Sequence, residues 1–213
     1  PFRRLQIKIK GPSQLPRVLT AHEVKMILGY LKHRRDSVAK GTTQYTLCVR
    51  NLAVVELLFS TGMRIGELCN LSFDDVDLTE GRARIHGKGN KERVVDICPA
   101  DTLSALSEWI KERSRNWKDS TAFFVNQKGN GLMPQSVRAL IHCVSDVCKI
   151  GKNVTPHTFR HTFASLLLEE DVDVSYIQNL LGHSSIAITQ IYLHVNPYRQ
   201  REILMQHHPR SRM

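Results

Sequence analysis

The sequence predicts a mainly α-helical domain that carries one small antiparallel β-sheet. Apolar residues recur at helical spacing along most of the chain. In the segment 74–99 the pattern changes to two short strand-like runs on either side of a Gly-rich turn. The length of 213 residues is enough for one good-sized core. A hydrophobic content of 41% and a charged content of 23% are ordinary for a globular protein.

The N-terminal elements are predicted to be a basic arm and three helices. Residues 1–19 are basic and contain prolines, and we interpret them as a linker or arm. Because the chain does not begin with methionine, we expect that an N-terminal region is missing. Thr20 and Glu23 form a capping box that starts the first helix. A second helix is predicted near 44–60, ends at Gly62, and is followed directly by a short third helix.

The sheet is predicted from two short runs, 82–86 and 93–97, which are typical of a hairpin joined by the Gly-rich loop 87–92. Beyond the hairpin the helical spacing returns. Helices are predicted near 101–113, 134–149, 156–169, 173–181 and 184–196, with a short strand or extended segment at 123–125 and a tail at 198–213.

The net charge separates this chain from an average protein of its size. It is +10, with a pI near 9.6, and a basic excess of this kind indicates a polyanionic partner, with DNA or RNA as the leading candidate. A basic protein without such a partner stays an alternative on charge alone. The sequence has no signal peptide and no apolar run near eighteen residues, so we expect a cytoplasmic protein that does not span a membrane.

The five cysteines are odd in number and form no Cys-x-x-Cys pair, which is typical of free thiols in a reducing compartment. Cys143 and Cys148 lie near His142 and resemble half of a zinc site. Nothing near them in sequence completes a tetrahedral set, so we expect no metal. The P-loop pattern is absent as well, and we expect no ATP site.

The stretch 155–161, Thr-Pro-His-Thr-Phe-Arg-His, holds the most informative side chains. His157 and Arg160 are three residues apart, so on a helix they project from the same face. His183 follows on a glycine turn, and Tyr192 lies nine residues later on the next predicted helical segment. The result is a positively charged cradle with one phenolic nucleophile, a set that suits chemistry on a phosphodiester.

Four signatures, in chain order, resemble those of the tyrosine recombinases, the phage-integrase-like site-specific recombinases. They are Thr-Gly-Met-Arg-Ile-Gly-Glu-Leu around Arg64, Gly-Lys-Gly-Asn-Lys-Glu-Arg around Lys88, Thr-Pro-His-Thr-Phe-Arg-His-Thr-Phe, and Leu-Gly-His-Ser-Ser with a downstream Tyr-Leu-His. The resemblance implies the catalytic-domain fold of that family over 20–197. It also implies that 1–19 links to a missing core-binding domain and that 198–213 is a tail able to dock on a neighbouring protomer.

The resemblance implies a phosphate clamp and a nucleophile. Arg64 and Arg160 would bind the phosphate, because the planar guanidinium fork pairs bidentately with phosphate oxygens and stays charged. Tyr192 would attack the phosphorus, and its phenol needs a base or positive surroundings to do so at neutral pH. Tyr198 and Tyr176 are the rival nucleophiles and fit the spacing less well.

The resemblance also implies the groups that move protons. Lys88 would protonate the departing 5′ oxygen, with Lys91 as its rival. His157 and His183 would hydrogen-bond the phosphate and carry the tyrosine proton. Glu67 would pair with a basic site residue and hold it in place, with a simple surface ion pair as the alternative.

The implied reaction is site-specific DNA strand exchange through a 3′-phosphotyrosine intermediate, with no metal, ATP or other cofactor. The implied partner is double-stranded DNA with specific recombination sites, bound by a homotetramer that assembles from free monomers. Two alternatives remain open at this point. One is a type IB topoisomerase-like enzyme that reseals the same strand, and the other is a non-catalytic DNA-binding module.

Overall fold

The computed structural model describes residues 18–87 and 92–182. Within these ranges the chain forms seven α-helices, three strands and one 3₁₀ turn. In chain order they are α1 (Ala21–Asp36), α2 (Thr43–Thr61), α3 (Ile65–Cys69), the 3₁₀ turn (Phe73–Asp75), β1 (Val76–Asp77), β2 (Arg82–His86), β3 (Glu92–Asp96), α4 (Ala100–Asn116), α5 (Pro134–Val147), α6 (Pro156–Glu169) and α7 (Val174–Leu181).

The predicted start of α1 is confirmed in its hydrogen bonds. The hydroxyl of Thr20 accepts the backbone N–H of Glu23 at 3.2 Å, and the Glu23 carboxylate accepts the N–H of Thr20 at 2.7 Å. These two bonds satisfy donors that a helix N-terminus otherwise leaves unpaired. The predicted end of α2 is also confirmed, because Gly62 caps it in the left-handed region with φ +60°.

Helix α2 is the centre of the fold and packs against α1, α4 and α6. Its middle turns are buried all round, and Leu52, Val54 and Leu57 are at most 1% exposed. Burial of one such side chain contributes about 1.5–3 kcal/mol. Helix α4 adds Trp109, which is fully buried and donates its indole N–H to the Phe123 carbonyl at 3.0 Å. The aromatic segment 123–124 is thereby fixed beside the central helix.

The three strands form one antiparallel sheet in the order β1-β2-β3. Strands β2 and β3 are the predicted hairpin, paired so that Ala83 faces Val95. Strand β2 alternates buried and exposed positions, as its sequence predicts. The two-residue strand β1 was not predicted, because two residues cannot show an alternation. The predicted extended segment 123–125 is tied to its neighbours by isolated bridges beside it, between Ser72 and Ala122 and between Val125 and Gly131.

Several predicted features lie outside the described residues. They are the helix near 184–196, the hairpin tip 88–91, most of the arm 1–19 and the tail 198–213. In the part of the chain that is described, no helix has the length and apolar character required to cross a membrane.

Candidate active site

Arg64 lies at the junction of α2 and α3, where it is the N-cap of α3. Its backbone N–H donates to Oε2 of Glu67 at 2.8 Å, and its Nη1 donates to Oε1 of the same carboxylate at 2.9 Å. Its Nη2 reaches the carbonyl of Gly182 at 3.3 Å. The side chain nevertheless stays 42% exposed. Arg64 is therefore held from one side and open to solvent on the other.

Arg160 is the buried member of the predicted pair, with an exposed fraction of only 4%. It projects from α6 and donates Nη1 to the Gly62 carbonyl and Nη2 to the Leu181 carbonyl, both at 2.7 Å. Gly62 caps the C-terminal end of α2 and Leu181 ends α7. The guanidinium thus faces the negative ends of two helix dipoles, which partly compensate a buried positive charge.

Arg64 and Arg160 donate hydrogen bonds to the carbonyls of two consecutive residues. Arg160 binds the carbonyl of Leu181 and Arg64 binds the carbonyl of Gly182. These carbonyls belong to the turn that ends α7, directly before His183 in the chain. The fold therefore brings Arg64 and Arg160 together from segments that are 96 positions apart in the printed sequence.

His157 lies in the first turn of α6, one turn ahead of Arg160, and its side chain is exposed. The start of α6 is fixed by Thr155, whose hydroxyl accepts the Thr158 N–H at 3.2 Å, and by a proline at the first helical position. His161 follows on the same helix, and burial lowers its pKa, helped by the positive charge of Arg160. The neutral form of its imidazole is thus favoured.

Glu67 is the anionic centre of the described cluster, and its side chain is only 7% exposed. Burial alone raises the pKa of a carboxyl group. Hydrogen bonds from Arg93 and from the backbone of Arg64, together with the charge of Arg93, reverse that effect and lower the pKa of Glu67 to about 2. Glu67 thus pairs with Arg64 and Arg93 in a buried contact, and its role of holding a basic site residue in place stays a prediction.

Arg93 is the residue of this cluster that the sequence analysis missed. It lies on β3, at the end of the signature around Lys88, and its Nη1 and Nη2 donate to the two oxygens of Glu67 at 2.8 and 2.9 Å. A signal for it exists in the strand pattern. Arg93 has the same parity as the buried Val95, so alternation places it on the inner face of the sheet.

Glycine is favoured at position 182 for two reasons. Its φ of +64° lies in the left-handed region that glycine adopts without cost. A Cβ atom there would also come within 3.2 Å of the Cδ, Nε and Cζ atoms of Arg93. The backbone of the turn therefore lies directly against the Arg93 side chain.

The described part of this cluster holds three guanidinium groups and one carboxylate, which leaves it positive. Two excess positive charges from arginine suit a phosphate group, because arginine donors match phosphate oxygens in geometry and charge. Among the described residues no group of three or more His, Cys, Asp and Glu side chains is gathered as for a metal ion. His142, which precedes Cys143, contacts Asp146 at 2.9 Å.

Three predicted site residues lie outside the described residues: Lys88, His183 and Tyr192. Their roles stay predictions, as do those of the rivals Lys91 and Tyr198. The third rival, Tyr176, is described. It lies on α7 with 69% of its surface exposed.

Comparison with known proteins gives a consistent result. The phage integrase family matches residues 17–199. A tyrosine recombinase of Agathobacter rectalis is 44% identical over 211 residues, which cover 99% of this chain and 69% of that protein. The tyrosine recombinase XerD of Bifidobacterium longum is 37% identical over 210 residues, covering 95% of this chain and 66% of that protein.

Solved structures show the same likeness. The crystal structure of XerA recombinase matches with a TM-score of 0.74 and 33% identity, over 92% of this chain and 66% of that one. The XerH site-specific recombinase, in a post-cleavage complex with its difH substrate, matches with a TM-score of 0.74 and 28% identity, over 89% of this chain and 52% of that one. The chain thus spans about two thirds of the length of these curated relatives.

Proposed function

The chain belongs to the phage integrase family of tyrosine recombinases, and we propose on that basis that it is the catalytic part of a site-specific DNA recombinase. It would cleave and rejoin DNA strands through a 3′-phosphotyrosine intermediate. The observation that carries this proposal is the meeting of Arg64 and Arg160 at the consecutive carbonyls of Gly182 and Leu181. That pair would give the scissile phosphate two guanidinium groups to bind.

The first step in the proposal is binding of the phosphate. Two hydrogen bonds of 2.7 Å hold the guanidinium of Arg160 in a buried position. Arg64 is half open, and its contact with Gly182 is long at 3.3 Å, so a phosphate oxygen can replace that carbonyl. Both forks would then oppose the extra negative charge of the pentavalent transition state. Loss of one such preorganised donor costs about 3–4 kcal/mol of transition-state stabilisation in comparable sites.

The second step is strand cleavage. The phenolic oxygen of Tyr192 forms a bond to phosphorus while the bond from phosphorus to the 5′ oxygen breaks. The phenolic proton passes to an imidazole, for which His157 and His183 are the candidates. Lys88 supplies a proton to the departing 5′ oxygen. The products are a 3′-phosphotyrosine and a free 5′-hydroxyl.

The third step rejoins the strands. A 5′-hydroxyl from the partner duplex attacks the phosphotyrosine and releases Tyr192, so the energy of the broken bond is kept and ATP is not consumed. The partner in this proposal is double-stranded DNA with recombination sites, and the net charge of +10 supports it. We propose a tetramer on DNA and a monomer in its absence.

The decisive test is covalent trapping. The chain is incubated with a library of nicked duplexes whose central bases are randomised, and DNA that stays attached in denaturant is sequenced. We expect the wild type to trap DNA by its 3′ end and Tyr192→Phe to trap none, with DNA binding changed by no more than a few-fold. A denaturant-resistant complex in the phenylalanine variant would reassign the nucleophile, with Tyr198 examined first. No complex with the wild type under these conditions would contradict the proposal.

A second test addresses the absence of a metal from the proposed mechanism. Cleavage of the trapped sequence is measured in EDTA and in magnesium. We expect equal rates, because arginine and lysine supply the positive charge that a metal ion supplies in other phosphotransfer sites. Loss of cleavage on chelation, with recovery in magnesium, would contradict the mechanism.

A further inference from the structure

We propose that Arg93 is a positioning residue that keeps Arg64 available to the phosphate by occupying the carboxylate of Glu67 and supporting the turn at Gly182. The inference rests on the proposed function of Arg64 as a phosphate ligand. Arg93 itself is only 19% exposed and reaches Arg64 through these two groups.

The first contact that carries the inference is the fork between Arg93 and Glu67. Nη1 of Arg93 donates to Oε1 at 2.8 Å and Nη2 donates to Oε2 at 2.9 Å, so both carboxylate oxygens are engaged at once. Arg64 then uses one side-chain nitrogen, Nη1, for the same carboxylate. A carboxylate prefers a bidentate partner, and two arginines cannot both hold the fork. Arg93 makes the bidentate contact with Glu67. Arg64 therefore keeps guanidinium N–H donors on its exposed side that do not bind Glu67.

The second contact is between Arg93 and the turn that ends α7. The aliphatic end and guanidinium of Arg93 lie so close to Gly182 that a Cβ there would be 3.2 Å away. The carbonyl of that glycine is the other partner of Arg64. Arg93 therefore fixes both groups that hold Arg64 in place, one by hydrogen bonds and one by packing.

Removal of Arg93 has a specific expected consequence. Glu67 stays buried and negative, with Arg64 as its remaining described arginine. The freed carboxylate oxygens draw Arg64 into a bidentate pair, away from the phosphate. Glu67 should therefore raise the rate of covalent trapping when Arg93 is present and lower it when Arg93 is lost. A residue that merely stabilised the fold would not reverse the effect of its neighbour.

The experiment compares Arg93→Gln, Glu67→Gln and the double variant with the wild type in single-turnover covalent trapping at saturating DNA. We expect at least about a tenfold fall in rate for Arg93→Gln, since one misplaced preorganised donor costs about 10²–10³-fold. We expect the double variant to be faster than Arg93→Gln alone, although Glu67→Gln slows the wild type. Strictly additive losses in the two variants would overturn the inference.

A conservative pair of variants separates position from charge. Arg93→Lys keeps the charge and loses the fork, and Arg82→Lys is the matched control, because Arg82 pairs with Asp96 at 3.1 Å on the exposed face of the same sheet. We expect Arg93→Lys to slow trapping at a temperature where circular dichroism shows it fully folded, and Arg82→Lys to leave the rate unchanged. Equal rates for the two variants would contradict the positioning role.

A readout without cleavage keeps this inference distinct from the proposed function. Inorganic phosphate is titrated into the Tyr192→Phe chain, and the Nε–Hε NMR signal of Arg64, assigned by its loss in Arg64→Lys, is followed. We expect a weaker apparent phosphate affinity in the Arg93→Lys background and an unchanged one in Arg82→Lys. If the wild type never traps DNA but this difference appears, the proposed function fails and the role of Arg93 stands. An unchanged phosphate affinity in Arg93→Lys overturns the role of Arg93 alone.

Discussion

Two buried carboxylates of this domain lie in opposite environments, Glu67 at the candidate active site and Glu56 at the contact between α2 and α4. Glu67 accepts four hydrogen bonds, from the side chains of two arginines and from the backbone of one of them. Glu56 accepts one from the hydroxyl of Thr102 at 3.0 Å, and Lys32 Nζ lies 3.8 Å from its other oxygen. That oxygen has no hydrogen-bond partner among the described residues.

The difference appears in the pKa values. Burial raises the pKa of both groups, but at Glu67 the arginines outweigh burial and lower the pKa to about 2. At Glu56 burial prevails over the weaker contacts with Thr102 and Lys32, and the pKa is raised. A buried carboxylate is thus kept charged where its charge organises other groups, and is poorly supported where it does not. Substitutions at and near the two carboxylates should therefore differ in size of effect.

The largest effect is expected for Glu67→Ala. It removes the anion that compensates Arg64 and Arg93, and loss of one partner from a buried ion pair costs about 3–5 kcal/mol. It also removes the capping interaction at the start of α3. Urea unfolding followed by circular dichroism measures the change. Glu80→Ala is the control, because Glu80 is exposed and should stay within about 0.5 kcal/mol of the wild type. An equal loss in both variants would remove the contrast.

The next effect in size is expected for Gly182→Ala. The substitution places a side chain at φ +64°, which costs about 1–3 kcal/mol, and pushes against Arg93. Gly41 is the matched control, since it has φ +81° with nothing within 4 Å of an added Cβ. Both alanine variants should lose stability in urea unfolding, and only Gly182→Ala should also slow covalent trapping. A trapping rate that falls equally in both would argue against the packing of Arg93 on this turn.

The sequence predicts Arg64 and Arg160 because each lies within a local signature. The alternation of β3 could place their neighbour Arg93 on the inner face of the sheet, but it could not identify Glu67 as its partner, because no local pattern encodes a pairing between residues so far apart in the chain. The same limit explains why α4 runs to Asn116, beyond the predicted 113. An arginine near the end of a helix is usually exposed, but Arg113 is only 2% exposed. It donates to the carbonyls of Ser120 and Ala122, and its guanidinium carbon lies 4.5 Å from the ring centroid of Phe73.

Elements whose apolar residues repeat at a regular spacing were predictable, because that pattern lies within the element itself. Strands β2 and β3 each show their alternation within five residues. The shift of β3 by one residue to Glu92–Asp96 lies within the usual uncertainty of element ends. The 3₁₀ turn at Phe73–Asp75 has no such period and is stabilised by a side-chain bond, from the Ser72 N–H to Asp75 at 2.9 Å. Features of this kind depend on single contacts.

The pH dependence of stability should separate the two carboxylates by sign. The pKa of Glu67 is lowered in the folded state, so its contribution is present above the unfolded value and is lost as pH falls from there toward about 2. The pKa of Glu56 is raised, so its contribution is fully present below the unfolded value and is lost as pH rises through the folded one. Urea unfolding between pH 3 and 8 measures both. As pH rises, the free energy of unfolding of the wild type should increase relative to that of Glu67→Gln. It should decrease relative to that of Glu56→Gln.

The smallest effect is expected for Glu56→Gln at pH 7. The amide keeps the size of the side chain and its bond to Thr102, and it removes a charge that burial disfavours. Lys32 loses little, because it also pairs with Asp101 at 2.7 Å in an exposed contact. We therefore expect a change within about 1 kcal/mol, toward greater stability, and an unaltered rate of covalent trapping. A loss comparable to that of Glu67→Ala would show that Glu56 is as well supported as Glu67, and the contrast between the two sites would fail.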